Sequence, residues 1–211
     1  MTTPATPQIK LIGTPASRVV RNIWMLTELN VPYEHDAILS SAPELKQPPY
    51  TDWNPNGKIP ICIVDGFAMS ESLAINLYLA AKFPSAISLT TPEEQAKGMQ
   101  WALWVISEVE LNSFNWYLNK LGKPEAERDP KVVADTWEKL QKPLAVLNKA
   151  LAPTGWLVGN RFTVADLNTA AAMYRALWMP LESFPHVKTW LDRSWAREGG
   201  LKARRARGEN V

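Results

Sequence analysis

Residues Asn54 to Ser72 read NPNGKIPICIVDGFAMSES, and this stretch decides how the first third of the chain folds. Asn54-Pro55-Asn56-Gly57 is a turn by composition, because Asn and Gly accept positive φ and Pro presets the turn angle. Ile61, Ile63 and Val64 then form a β-rich run, and Asp65-Gly66 is a two-residue hairpin signal. Phe67 to Met69 is expected to pair back as a second short strand. Ser70-Glu71-Ser72 opens an apolar helix carrying Leu73, Ile75, Leu77 and Leu79. Hydroxyls, a carboxylate and unpaired backbone N–H groups are thereby gathered at the positive end of that helix, an arrangement suited to a small zwitterion.

Working outward, the residues before this stretch alternate in type. Ile9 to Ile12 is a short strand and Ala16 to Leu29 a helix, with Val20, Ile23, Trp24 and Thr27 on one face. Tyr33 to Ile38 is the next strand. Ser40 to Trp53 is a crossing segment with one helical turn expected around Glu44. The order is βαβ followed by ββα, that of a thioredoxin-like α/β domain over residues 9–83, preceded by a flexible tail over 1–8.

Residues 84–91 are rich in Pro, Ser and Thr and read as a linker, and beyond Pro92 no strand is predicted. An all-helical domain is expected over 92–198, with helices at Glu93–Lys120, Pro130–Leu151, Val164–Trp178 and Pro185–Ala196. Thr163 and Asp166 stand at the N-cap and N3 positions of a capping box, with Phe162 ahead of them as a staple. Val164, Leu167, Ala171, Tyr174 and Trp178 share one face of that helix, which should be deeply packed.

The whole chain has 211 residues, 23 basic and 21 acidic, for a net charge of +2. A chain of this size buries roughly 70% of its extended surface without staples. Near-neutral charge gives no general case for nucleic acid as a partner. Lys202, Arg204, Arg205 and Arg207 form a local exception, a basic tail over 199–211 read as a solvated, poorly ordered end. The single cysteine, Cys62, can form no internal disulfide and has no second thiol with which to hold zinc, so a reducing, cytoplasmic setting and no metal site are expected. Met1 to Gln8 has neither the basic start nor the apolar run of a secretion signal. No segment reaches the ~20 apolar residues of a membrane helix. Most of the ten tryptophans are assigned to core packing.

Three motifs, NPNGKIP, SESLAINLYL and GNRFTVADL, together with the order of an α/β domain before a helical one, resemble the cytosolic glutathione S-transferases. The match runs from Lys10 to Trp195 and is similar to the serine/threonine-type, bacterial-like members. The resemblance implies a cis bond at Ile59-Pro60, which turns the Ile59 N–H and C=O toward the cysteinyl backbone of glutathione, the co-substrate. It implies that Ser72 takes the γ-glutamyl carboxylate and Glu71 its ammonium. Lys58 and Lys46 are candidates for the glycyl carboxylate, Lys58 being the better placed.

Reaction in this family requires a thiolate. A free thiol has a pKa of about 8.5, and lowering it by ~2 units corresponds to about 2.7 kcal/mol of selective anion stabilisation. A hydroxyl donor near a helix N-terminus can supply that. The loop Gly13-Thr14-Pro15-Ala16-Ser17-Arg18 occupies the position of the family's tyrosine, serine or cysteine and holds neither tyrosine nor cysteine. Thr14 is the first choice for the catalytic donor and Ser17 the second, although Ser17 also suits an ordinary N-cap. Threonine where serine is usual departs from the family pattern, and its methyl restricts rotamers. Arg18 either steers the anion or is solvated.

The small electrophile, expected to be hydrophobic, would meet a pocket between this loop and the helical domain, lined by Trp104, Glu108, Leu111 and Asn115 at i, i+4, i+7 and i+11, with Tyr174. An inward-facing Glu108 or Glu110 would be the more telling sign. A homodimer is implied by resemblance, and an exposed tryptophan on the first long helix would support it. Two alternatives stay open beside the transferase: a glutathione-binding protein with little or no turnover, and a protein-interaction module on the same fold.

Overall fold

The computed structural model describes residues 7–211, so most of the predicted N-terminal tail lies outside the described residues. Two compact units are present, one running to Ser85 and taking in Glu198–Val211, the other spanning Ala86–Arg197.

The first unit contains a four-stranded mixed sheet in the order β2-β1-β3-β4. Its strands are β1 (Ile9–Ile12), β2 (Glu34–Asp36), β3 (Ile61–Val64) and β4 (Phe67–Ser70). β2 runs parallel to β1, while β3 is antiparallel to both β1 and β4. The β1–β2 crossover is helix α1 (Val19–Leu29), and all eight residues from Val19 to Leu26 are buried. That includes Arg21 and Asn22, so the helix is sunk around its whole circumference rather than along one stripe. Its predicted start at Ala16 is moved to Val19, because residues 14–17 form a turn closed by the Ser17 N–H donating to the Thr14 carbonyl at 3.0 Å.

The crossing segment holds a 3-10 turn at Pro43–Lys46 and a single α-turn, α2 (Tyr50–Trp53). After the hairpin, α3 (Ser72–Lys82) closes the fold. Ser70 belongs to β4 and not to a helix cap, because its backbone is paired with Ile61.

The basic tail is also corrected. Glu198–Ala206 is a helix, α9 in chain order, with Gly199, Gly200 and Ala203 buried. A Cβ on Gly199 would stand 2.6 Å from Trp24 Cδ1, so the glycine is what lets α9 approach α1 so closely. Residues that read as solvated by charge are thus held by a small-residue face that the charges concealed.

The second unit is helical. The predicted Glu93–Lys120 helix is a continuous rod made of α4 (Pro92–Trp104), a π-helical stretch at Val105–Glu110, α5 (Leu111–Tyr117) and a second π-stretch at Leu118–Gly122. After it come α6 (Pro130–Leu151), α7 (Val164–Ala172), a 3-10 turn at Tyr174–Trp178, and α8 (Pro185–Trp195). α7 is buried at every position and starts with a complete capping box. Among the described residues no helix is long and apolar enough to cross a membrane.

Candidate functional site

Strand register brings the polar loops of the first unit together. Ile12, the last residue of β1, is opposite Ile61, the first of β3, and Ile61 is opposite Ser70, the last of β4. The segments that continue from these three residues, 13–18, 58–60 and 71–72, therefore leave the sheet at one end. Gly13 brings the first two into contact: a Cβ there would lie 2.7 Å from Ile59 Cβ and 2.6 Å from Val19 Cγ2, at a φ of +125°. Only glycine fits this turn.

Within residues 13–18 the two candidate hydroxyls are differently engaged. Ser17 Oγ donates to the Thr14 carbonyl at 2.7 Å and accepts from the Val19 N–H at 3.2 Å. It is occupied in starting α1. Thr14 Oγ1 accepts one long bond from the Ala16 N–H, 3.4 Å, and no described partner takes its proton. Thr14 is half-buried and Arg18 exposed. His35 Nε2 stands 2.9 Å from the Gly13 carbonyl and ties β2 to the same loop.

The Ile59-Pro60 bond is cis, as is Pro48-Pro49. Asn54, buried, organises the turn before it. Its amide donates to the Lys58 carbonyl at 2.7 Å, and its Oδ1 accepts from the Asn56 N–H at 3.2 Å. Lys46 Nζ donates to the carbonyls of Asn56 (3.2 Å) and Gly57 (2.8 Å), so its ammonium is engaged in holding this loop. Lys58 is exposed, with no described hydrogen-bond partner for its ammonium.

At the mouth of α3, Glu71 is the N-cap, exposed, with φ +67° and ψ 102°. A non-glycine residue at positive φ costs of order 1–3 kcal/mol and is found where a site over-determines the backbone. No side chain caps α3. Ser72 is buried, its Oγ accepting from Arg21 Nη1 at 3.2 Å and its carbonyl from Asn22 Nδ2 at 2.8 Å. Asn76 completes the network, accepting from Asn22 at 2.8 Å and donating to the Arg21 carbonyl at 3.2 Å. Arg21, Asn22 and Asn76 are site-supporting residues that the sequence reading missed. Their signal was present, since an Arg-Asn pair inside the apolar run VVRNIWML is a buried charge in need of partners.

Cys62 lies in β3, fully buried, and burial pushes its thiol up to about 12. It is inert at neutral pH.

The expected second-substrate residues do not behave as one face. Trp104 and Asn115 are half-buried, whereas Glu108 and Leu111 are exposed. The π-stretch at Val105–Glu110 supplies the reason, because it widens the turn and breaks the i, i+4, i+7, i+11 count. Tyr174 is buried in an aromatic cluster, with ring centroids 5.0 Å from Trp178 and 5.2 Å from Trp195. Of the two glutamates, Glu110 is the buried one. The exposed large apolar side chains on the rod are Met99, Leu103, Ile106, Leu111, Phe114 and Leu121, while Trp101 and Trp116 are buried, so an exposed tryptophan is not what marks this helix.

Comparison with known proteins gives a consistent result. Residues 17–82 match the family model for the N-terminal domain of glutathione S-transferases, and residues 99–198 match that for the C-terminal domain. Glutathione S-transferase 3 of Zea mays is 31% identical over 206 residues, covering 90% of each chain. The crystal structure of the theta class glutathione S-transferase from the citrus canker pathogen Xanthomonas axonopodis pv. citri, with glutathione bound, superposes with a TM-score of 0.82 at 29% identity, covering 97% of this chain and 99% of that one. Glutathione transferase F7 from Populus trichocarpa gives 0.82 at 28% identity, covering 96% and 100%.

Proposed function

Since the chain belongs to the glutathione S-transferase family, we propose that the sheet end where residues 13–18, 58–60 and 71–72 meet is where it holds glutathione and ionises its thiol. The protein is a glutathione transferase with glutathione as co-substrate. The observation that carries the assignment is the shared register of Ile12, Ile61 and Ser70, which gives the three loops a common exit.

Each part of a tripeptide finds a chemical match there. A carboxylate at the start of α3 meets uncapped N–H groups, the Ser72 hydroxyl and the Arg21 guanidinium behind it. Glu71, bent outward by its positive φ, answers the neighbouring ammonium. Ile59 offers backbone groups to an extended cysteinyl unit. Lys58, rather than the engaged Lys46, answers the glycyl carboxylate. Thr14 donates its proton to the sulfur; Ser17 has already given its own to the Thr14 carbonyl.

The thiolate then attacks an electrophilic carbon: a C–S bond forms, and the displaced electron pair stays on the substrate or leaves with the departing group. A hydrogen bond to a charged group contributes about 1.5–3 kcal/mol, which for a thiolate is roughly 1–2 pKa units. The exposed Met99, Leu103, Ile106 and Leu111 support pairing with a second copy as a homodimer.

Thr14→Val tests the donor by titrating the ultraviolet absorbance of bound thiolate. An upward shift of about 1–2 units is expected. An unchanged titration and rate would remove Thr14 from the role. Glu71→Ala should weaken glutathione binding by calorimetry, and unaltered affinity would show the ammonium to be held elsewhere.

A further inference from the structure

Pro15 and Ala16 share one peptide group, and the two ends of that group are held by different parts of the chain. On one side its N–H donates to Thr14 Oγ1 at 3.4 Å. On the other its carbonyl accepts from Arg207 Nη1 at 3.2 Å, across a sequence separation of 192 residues. The arginine is held for this contact. Gly208, at φ +87°, closes the helix from which Arg207 emerges, with the Gly208 N–H donating to the Arg205 carbonyl at 2.9 Å and the Glu209 N–H to the Arg204 carbonyl at 3.2 Å. Arg204 pairs with Glu209 at 2.7 Å, and Arg205 donates to the Val211 carbonyl at 2.8 Å. At its other end α9 is seated on α1 by the close approach of Gly199 to Trp24 and Glu28.

We propose that Arg207 is a positioning residue for the thiol site, orienting and polarising the Pro15–Ala16 peptide so that its N–H fixes the Thr14 hydroxyl with the proton turned to the sulfur. The inference rests on the assignment of Thr14 as thiolate donor. A guanidinium on a peptide carbonyl withdraws electron density toward oxygen and makes the N–H of the same group the stronger donor; that N–H in turn makes the hydroxyl it binds more acidic. The basic C-terminal segment thus acts on glutathione ionisation through three linked dipoles, without touching substrate. The other charged or titratable groups along this path are Arg18 and His35 at the loop, Glu28 where Gly199 meets α1, and Arg204, Arg205 and Glu209 at the end of α9 from which Arg207 emerges.

The test is the pH titration of bound glutathione read by thiolate absorbance, which keeps His35 out of the signal, together with steady-state rates. Polarisation strengthens a neighbouring bond by roughly 10–30%, so Arg207→Met should lower the thiolate fraction and kcat by about 1.3- to fivefold below the thiol pKa. The loss should vanish above that pKa, with KM for glutathione unchanged. Arg207→Lys, which keeps a charged donor, should restore most of the ionisation. If Arg207→Met does not fold, Arg207→Gln on this half-exposed side chain carries the same test with a smaller expected shift. In a Thr14→Val background Arg207→Met should add nothing. If Thr14→Val raises the pKa and Arg207→Met does not, the relay is wrong and the Thr14 assignment stands. If Thr14→Val itself changes nothing, the donor assignment falls and the relay with it. Additive shifts in the double variant would also overturn the relay, since Arg207 would then act by another route.

Discussion

Asp166→Asn should weaken the helical unit by about 2–4 kcal/mol, although it exchanges one carboxylate oxygen for a group of the same size. The wild-type carboxylate accepts four donors in a fully buried place. Oδ1 receives the Leu157 N–H at 3.0 Å and the Trp190 indole N–H at 2.9 Å, and Oδ2 the Thr163 N–H at 3.0 Å and the Thr163 hydroxyl at 3.1 Å. An amide has one acceptor and one donor end, so the better orientation keeps its oxygen on Leu157 and Trp190 and turns its NH2 toward Thr163. There the hydroxyl can rotate to accept, but the Thr163 N–H cannot and is left facing another donor. Leaving one buried donor unsatisfied costs about 1–3 kcal/mol, and the surviving bonds lose the assistance of the charge. The opposing effect is burial, which pushes the Asp166 carboxyl up and is only partly offset by the four donors. Losing the charge recovers that desolvation cost, which keeps the estimate in the lower part of what four charge-assisted bonds would suggest. Urea unfolding monitored through tryptophan fluorescence and far-ultraviolet dichroism would measure the change. A loss below about 1 kcal/mol would refute the reasoning, because the site would then accept a neutral group as readily as an anion.

Two further outcomes follow from packing and charge. Gly199→Ala puts a Cβ 2.6 Å from Trp24 Cδ1 and 2.9 Å from Glu28 Oε1, and overpacking of about 1–3 kcal/mol should outweigh the ~1 kcal/mol gained in helix propensity. The variant should melt lower, and an unshifted melting temperature would mean that α9 is free to move aside. Glu94 is held down at about 2, first by the Arg161 guanidinium it grips at 2.8 and 3.0 Å and then by the Thr90 N–H. Because this folded value lies below the ordinary 4.5, the pair's contribution is present above pH 4.5 and is lost as the pH falls toward 2. The stability difference between wild type and Glu94→Gln should therefore shrink across that window in acid titrations of the urea midpoint, and a constant difference would deny the pair its role.

Local chemistry made most of the architecture legible. The Asp65-Gly66 hairpin, the capping box at Thr163 and Asp166, and the α6 boundaries at Pro130 and Leu151 each depend on residues within a few positions of one another. What the sequence concealed depends on partners far along the chain. Arg21 reads as an interruption of an apolar helix until Ser72, fifty-one residues later, comes within 3.2 Å of it. The π-stretch at Val105–Glu110 has no glycine or proline to mark it, only three β-branched residues, a serine and two glutamates of the kinds that regular helices also carry, yet it dissolves the face that period counting drew through Trp104, Glu108, Leu111 and Asn115.

The C-terminal segment shows why charge was the wrong guide there. Four basic residues between Lys202 and Arg207 suggest a solvated tail, because charge is costly to bury. The same nine-residue helix, Glu198–Ala206, carries Gly199, Gly200 and Ala203 along one buried side, and it is the absence of side-chain bulk on that side that allows α9 to dock while its cations stay at the surface. Composition averages the two sides and so reports neither. Docking then gives one of those cations, Arg207, a backbone carbonyl beside Thr14. A half-exposed charge at the end of α9 is in this way held against the loop that carries Thr14, and the contact depends on glycines far from that loop in sequence.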